Sequence, residues 1–344
     1  MIRSACVLAA LVLAAPLDAA EPSPSGQRVV TSFPVGGEGG WDYLTVDPAA
    51  RRLFISRGTH VMVLDTDSGK VVGDVHGTDG VHGIALAPDL KKGFTSNGRA
   101  GTVTVFDLGS LAVTSTIKVT GESPDAILYE PVTKRVFTFN GRGKNVTAID
   151  GATLSVAGTI AVGGKPEFAV SDAAGIVYVN IEDTAEVVAF DARTLAPKAH
   201  WSLKPCEDPT GLAFDAKGRR LFAGCSGNKL LAVVSADTGK LLGTAPIGAG
   251  CDAVEFEAST GLVYASAGDG TITVVKETAS GTWTAVETIE TKKGARTMAL
   301  DPATHRIFLP AAAYGPVPSP SSENPRPRAP MLAGSFEVLV VGRR

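Results

Sequence analysis

The stretch YLTVDPAARRLFIS, residues 43–56, decides the fold, because six further copies of its pattern follow it. It returns as GIALAPDLKKGFTS from Gly83, AILYEPVTKRVFTF from Ala126 and FAVSDAAGIVYVN from Phe168. Three more copies follow: GLAFDAKGRRLFAG from Gly211, AVEFEASTGLVYAS from Ala253 and TMALDPATHRIFLP from Thr297. Each reads as an alternating strand, a turn near Asp-Pro, and a second strand that opens after Arg or Gly. With the turn residue as anchor, the copies fall at Pro48, Pro88, Pro131, Ala173, Ala216, Ala258 and Pro302. The intervals are 40, 43, 42, 43, 42 and 44 residues, the regularity of a stacked sheet repeat.

Outward from each copy lie two more strand signals. In the first unit HVMVLD (residues 60–65) and KVVGDV (residues 70–75) flank the turn Thr66-Asp67-Ser68-Gly69. Val, Ile and Thr at period two favour strands, and no stretch keeps a capped helical period. Four strands in about 42 residues make a propeller blade. The expected fold is therefore all-β: a seven-bladed β-propeller with four antiparallel strands per blade, occupying residues 21–344 as one domain. The last unit lacks its fourth strand, while an orphan strand, RVVTSF, precedes the first unit at residues 28–33. Pairing that orphan with residues 336–341 closes the ring and removes two sheet edges that would invite aggregation.

Arg3, the apolar residues 5–16 and Ala19-Ala20 read as a secretory signal over residues 1–20, too short an apolar run to span a bilayer. Its removal takes away Arg3 and Asp18 and leaves the net charge at −3, so no global field selects nucleic acid or an anionic membrane. Beyond Cys6 the chain carries Cys206, Cys225 and Cys251, an odd number for an oxidising compartment. Cys206 precedes the first strand of the fifth unit and Cys225 ends its second. Antiparallel pairing predicts a disulfide between them, with Cys251 either free or a competing partner, and a thiolate metal site using all three as the alternative.

Val177-Tyr178-Val179-Asn180, and more loosely Phe94-Thr95-Ser96-Asn97 and Phe137-Thr138-Phe139-Asn140, give the chain a resemblance to the periplasmic YVTN-repeat, or YncE-like, propellers. The resemblance spans all seven units and implies a periplasmic or secreted protein. It does not fix an activity, since one fold hosts many.

Blade geometry says where chemistry would gather. The loop entering the innermost strand and the loop joining the second and third strands open on one face. Six positions before each anchor stand Asp42, His82, Asp125, Glu167, Thr210, Asp252 and Arg296, all polar. Asp208 joins this axial ring from the loop before Thr210, while Arg57, Asn97, Asn140 and Asn180 close the second strands towards the same mouth and are expected to form a second tier. Trp41 or Tyr43 would wall one side. Carboxylates with a histidine suit a divalent metal ion or a cationic ligand, and the arginines suit carboxylate or phosphate. The plainer alternative is a wet, polar channel whose groups satisfy one another. Residues 314–332 form a long Pro-rich loop on the same face, able to cover the mouth with Arg326 or Arg328 turned inward. No nucleophile triad, phosphate-cradling loop, haem motif or zinc-hydrolase motif occurs, and basic residues do not cluster with aromatics as in single-strand binders. The sequence thus points to an exported, monomeric binding or interaction scaffold for a small molecule or a periplasmic protein. A metal-assisted hydrolase, lyase or lactonase on the same face is the rival, and nucleic acid is a weaker third.

Overall fold

Seven four-stranded antiparallel sheets account for all the strands of the computed structural model, which describes residues 25–321, 325 and 327–343. The expected signal over residues 1–20 and Arg326 lie outside these. Blade 1 comprises Leu44–Asp47, Arg52–Ser56, Val61–Asp65 and Val71–Val75, in that order from the axis outward. The innermost strands of blades 2 to 7 are Val81–Ala87, Pro124–Glu130, Pro166–Ser171, Pro209–Asp215, Cys251–Glu257 and Ala299–Asp301. These seven strands pack side by side around a central channel. Among the described residues the helical segments are two short 3-10 turns, Pro88–Leu90 and Glu182–Thr184.

The ring closes as its two odd ends require. Arg28–Pro34 pairs antiparallel with Glu337–Gly342, placing Val29 opposite Val341 and Phe33 opposite Val338. The chain just before that strand is fastened too. Gln27 Nε2 donates to the Tyr264 hydroxyl at 3.1 Å and to His305 O at 3.2 Å, and Arg343 Nε donates to Ser25 O at 2.9 Å.

Burial departs from simple alternation in the middle of each blade. Leu262–Ala267, a second strand, is buried at every position, whereas the outermost Val113–Lys118 is mostly exposed. Second and third strands are covered on both faces by neighbouring blades, so they are mostly apolar and the polar side chains they do carry are hydrogen-bonded internally, as Thr95 Oγ1 is to Asn97 Oδ1 at 2.8 Å. Asp65, Asp107, Asp150 and Asp191 act as turn formers: each Oδ1 accepts the N–H three residues on, from Ser68, Ser110, Thr153 and Thr194. Leu111, Leu154 and Leu195 hold the left-handed conformation, at φ of 62°, 62° and 63°. The exchange is packing. Leu111 Cδ1 fills the notch at Gly73 and Leu195 Cδ1 the one at Gly158, where an added Cβ would lie 2.1 Å and 2.7 Å from these methyls. Each contact locks a blade to the one before it.

Cys206 and Cys225 form the expected disulfide, with Cα atoms 5.3 Å apart, and Cys251 is free and buried.

Candidate functional site

Most residues entering the innermost strands are held in place through their backbone carbonyls. Thr297 Oγ1 donates to Asp42 O at 2.7 Å, Ser96 Oγ to Asp125 O, and Ser266 Oγ to Arg296 O. Asn180 Nδ2 donates to Thr210 O at 3.0 Å, and Thr210 Oγ1 to Cys251 O at 2.7 Å. A blade thus clips the ring residue of the blade that follows, fixing the side chains that point over the channel.

Three of those side chains converge. His82 Nδ1 lies 2.6 Å from Asp42 Oδ2 and 3.5 Å from Asp125 Oδ1. One ligand atom from each of Asp42, His82 and Asp125 can be chosen so that all lie within 4.8 Å of one another, close enough to share a cation. Arg296 flanks the trio, paired with Asp252 and 3.9 Å from Asp42 Oδ1. On the other side Lys165 Nζ pairs with Glu167 at 2.6 Å and with Glu182. Sequence reasoning missed Lys165 and Glu182. Their only signal was the run Gly164-Lys165-Pro166-Glu167, which places a cation two residues before a ring carboxylate.

Other expected site residues are not brought to the trio. Asp208 is exposed, with its carboxylate over Gly227 and its carbonyl accepting Ser226 N–H at 3.0 Å. Thr210 spends its hydroxyl on the backbone. Asn97 Nδ2 donates to Thr102 and Thr104, and Asn140 Nδ2 to Asn145 and Thr147, so both amides serve their own blades. Asn180 is the inter-blade clip already described. Arg57 is fully buried, its guanidinium 3.5 Å from the centroid of Phe336 and its Nη2 donating to Glu38 O at 2.8 Å. These four residues support the mouth from below rather than line it.

Crowding shifts the titrations. Burial, reinforced by the Asp42 charge, pushes the Asp125 carboxyl up to about 6. Burial and the Asp125 charge push Glu167 up to about 8 against the pull of Lys165. Asp252 is raised by burial despite Arg296. His82 is raised by its hydrogen bond to Asp42, which outweighs its partial burial. Carboxylates that hold protons near neutrality mark a place where a cation would be welcome.

Tyr43 closes the channel beneath this mouth. Its ring lies 5.4 Å from that of Phe168, and blades 1 and 4 are not neighbours, so the contact crosses the axis. Burial and the Asp125 charge raise its hydroxyl well above the usual range, keeping the plug neutral. Trp41 turns outward instead, against Phe336 at 5.3 Å and Tyr314 at 6.3 Å. Below the plug the channel reopens as an apolar cavity of about 750 Å³, walled by residues such as Leu86, Ile127, Phe214 and Phe256, with Glu255 among its lining.

No family model matches the chain, and no curated protein matches its sequence. Solved structures do share the architecture. One of them, the structure of U3-55K, superposes with a TM-score of 0.74 at 10% identity, covering 90% of this chain and 97% of that one. At that identity the likeness shows a fold alone: this chain is a seven-bladed β-propeller, and one fold hosts many functions.

Proposed function

We propose that the protein is an exported binding scaffold whose axial mouth takes a divalent cation on Asp42, His82 and Asp125. The observation that carries this reading is the convergence of the three ligand atoms within 4.8 Å. Two carboxylate oxygens and an imidazole nitrogen suit first-row metals such as Mn²⁺ or Zn²⁺ better than Ca²⁺, which prefers an all-oxygen shell. Glu167, Asp252, Lys165 and Arg296 surround the ion and set the charge that a further ligand meets. The signal-like residues 1–20 and the resemblance to YVTN-repeat propellers support a periplasmic or secreted site of action.

A second reading, metal-assisted hydrolysis or lactone opening, is favoured by one feature. The His82 side chain is 37% exposed at the mouth, so three protein ligands leave room for water and substrate on the ion. The acidic cluster argues against nucleic acid at this position.

Elemental analysis of protein purified without chelator, then dialysed against chelator and reloaded with Mn²⁺ or Zn²⁺, tests the proposal. The expected result is stoichiometric metal that chelator removes and reloading restores. Protein that neither carries an ion nor takes one up on reloading refutes it.

A further inference from the structure

A second pocket opens on the same face, between blades 6 and 7 and the base of the long Pro-rich loop. It encloses about 860 Å³, a volume suited to a small organic ligand. Its cationic lining is Lys292, Lys293, Arg296 and Arg328, and no carboxylate lines it. Lys292 is neutralised by Glu337, and Arg296 by Asp252 and Asp42. Lys293 and Arg328 have no acidic partner among the described residues, so no described carboxylate offsets these two charges at the pocket.

The remaining wall is aromatic and apolar, with Trp41, Tyr314 and Met331 prominent. Tyr314 and Met331 pair as a β-bridge at the foot of the loop. Gly315 N donates to Pro330 O at 2.9 Å and Leu332 N to Ala313 O at 2.9 Å. Ser335 Oγ ties that foot down by donating to Leu332 O at 2.6 Å. The wall is therefore part of the scaffold and not a floating strand of loop. Trp41, wedged between Tyr314 and Phe336, presents a ring whose position is set by its neighbours.

We propose that this pocket is a separate binding site for a small aryl anion, meaning a carboxylate or phosphate monoester on a planar ring. Lys293 and Arg328 hold the anionic group by charge-assisted hydrogen bonds, and the ring packs against Trp41 and Tyr314. Arg296 forms the partition from the acidic mouth, facing this pocket while paired with Asp42 and Asp252. A ligand seated here lies next to the proposed cation but does not depend on it.

Calorimetric titration with phenyl phosphate tests the site, with inorganic phosphate and phenol as its separate halves. Saturable binding to one site is expected, with each half at least about tenfold weaker. The double variant Lys293→Ala with Arg328→Ala should lose about tenfold or more, and Tyr314→Ala severalfold, while both keep the wild-type melting temperature. Uptake of Mn²⁺ or Zn²⁺ should be unchanged in these variants, which separates this site from the axial one. The proposal is overturned if phenyl phosphate fails to bind at millimolar concentration, or if it binds the double variant as tightly as wild type. Binding of oligothymidylate in place of phenyl phosphate would likewise overturn it, in favour of a polynucleotide surface.

Discussion

At one end of the channel Asp42, His82 and Asp125 crowd together under the influence of Glu167, Asp252 and two paired cations. At the other, the same innermost strands surround an apolar cavity in which Glu255 is the exceptional group, while Asp47 and Asp172 are tied into rim turns. The Tyr43–Phe168 contact separates the two. Blades 1 to 6 line the apolar cavity with the same innermost strands whose entries face the charged mouth, so the difference does not come from architecture. It comes from which strand positions carry charge: those that enter the strand are polar in all seven units, and those within it are mostly apolar. One mouth is built to receive charge, and the other to exclude it.

The largest expected difference between the mouths is mechanical. Among the described residues the disulfide Cys206–Cys225, with a sequence separation of 19, staples the charged mouth alone. Replacing both cysteines by serine should cost about 3 kcal/mol in the loop-entropy model, read from denaturant unfolding. A loss under about 1 kcal/mol would mean that the loop is already held by its other bonds, such as Asn228 Nδ2 to Pro205 O at 2.6 Å.

Next comes ligand specificity. Asp42→Asn with Asp125→Asn should weaken divalent-ion binding by about 100-fold, roughly 2.7 kcal/mol. Glu255→Gln at the opposite mouth should change it less than about twofold. Equal effects from the two variants would erase the distinction drawn between the ends.

Glu255 gives a smaller effect with a definite sign. Burial pushes its carboxyl up to about 7. The folded state then binds more protons than the unfolded chain, whose carboxyl titrates in the ordinary range. Its contribution to stability is full below that range and is lost as pH rises through about 7. Glu255→Gln should therefore flatten the decline in melting temperature between about pH 5 and pH 8, and stabilise the protein by about 1 kcal/mol at the upper end. A variant that follows the wild-type pH profile would place the Glu255 carboxyl in water after all.

The blades, their closure and the ring positions were legible because they obey one period. Counting six residues back from each turn finds Asp42, His82, Asp125, Glu167, Asp252 and Arg296 without knowledge of any contact. What broke the period was not legible. Lys165 and Glu182 stand eight residues before and nine after the anchor Ala173, offsets at which no other blade carries a lysine or a glutamate, so the period gave no cue to them. Asp208 looked like a ring member from its loop, yet the local left-handed turn, at φ 48°, leaves it exposed. Asn97 and Asn140 end strands that point to the mouth, but their amide donors are taken by nearby side-chain oxygens, and Arg57 turns its Nη2 to Glu38 O and its face to Phe336, arrangements that spacing alone does not reveal. Asp208→Ala provides the smallest test: stability within about 0.5 kcal/mol of wild type, as for surface changes generally, and unchanged ion binding.

Central here is that a metal ion bound at the axial mouth displaces protons held by His82 and Asp125, both raised above their ordinary ranges. Titration calorimetry with Mn²⁺ or Zn²⁺ near pH 6.5, repeated in buffers of different ionisation enthalpy, measures that displacement directly. Expected are one ion per chain, a net release of protons on binding, and an affinity that rises with pH, all abolished in the Asp42→Asn, Asp125→Asn variant. Binding without proton release, or binding that survives in that variant, would contradict it.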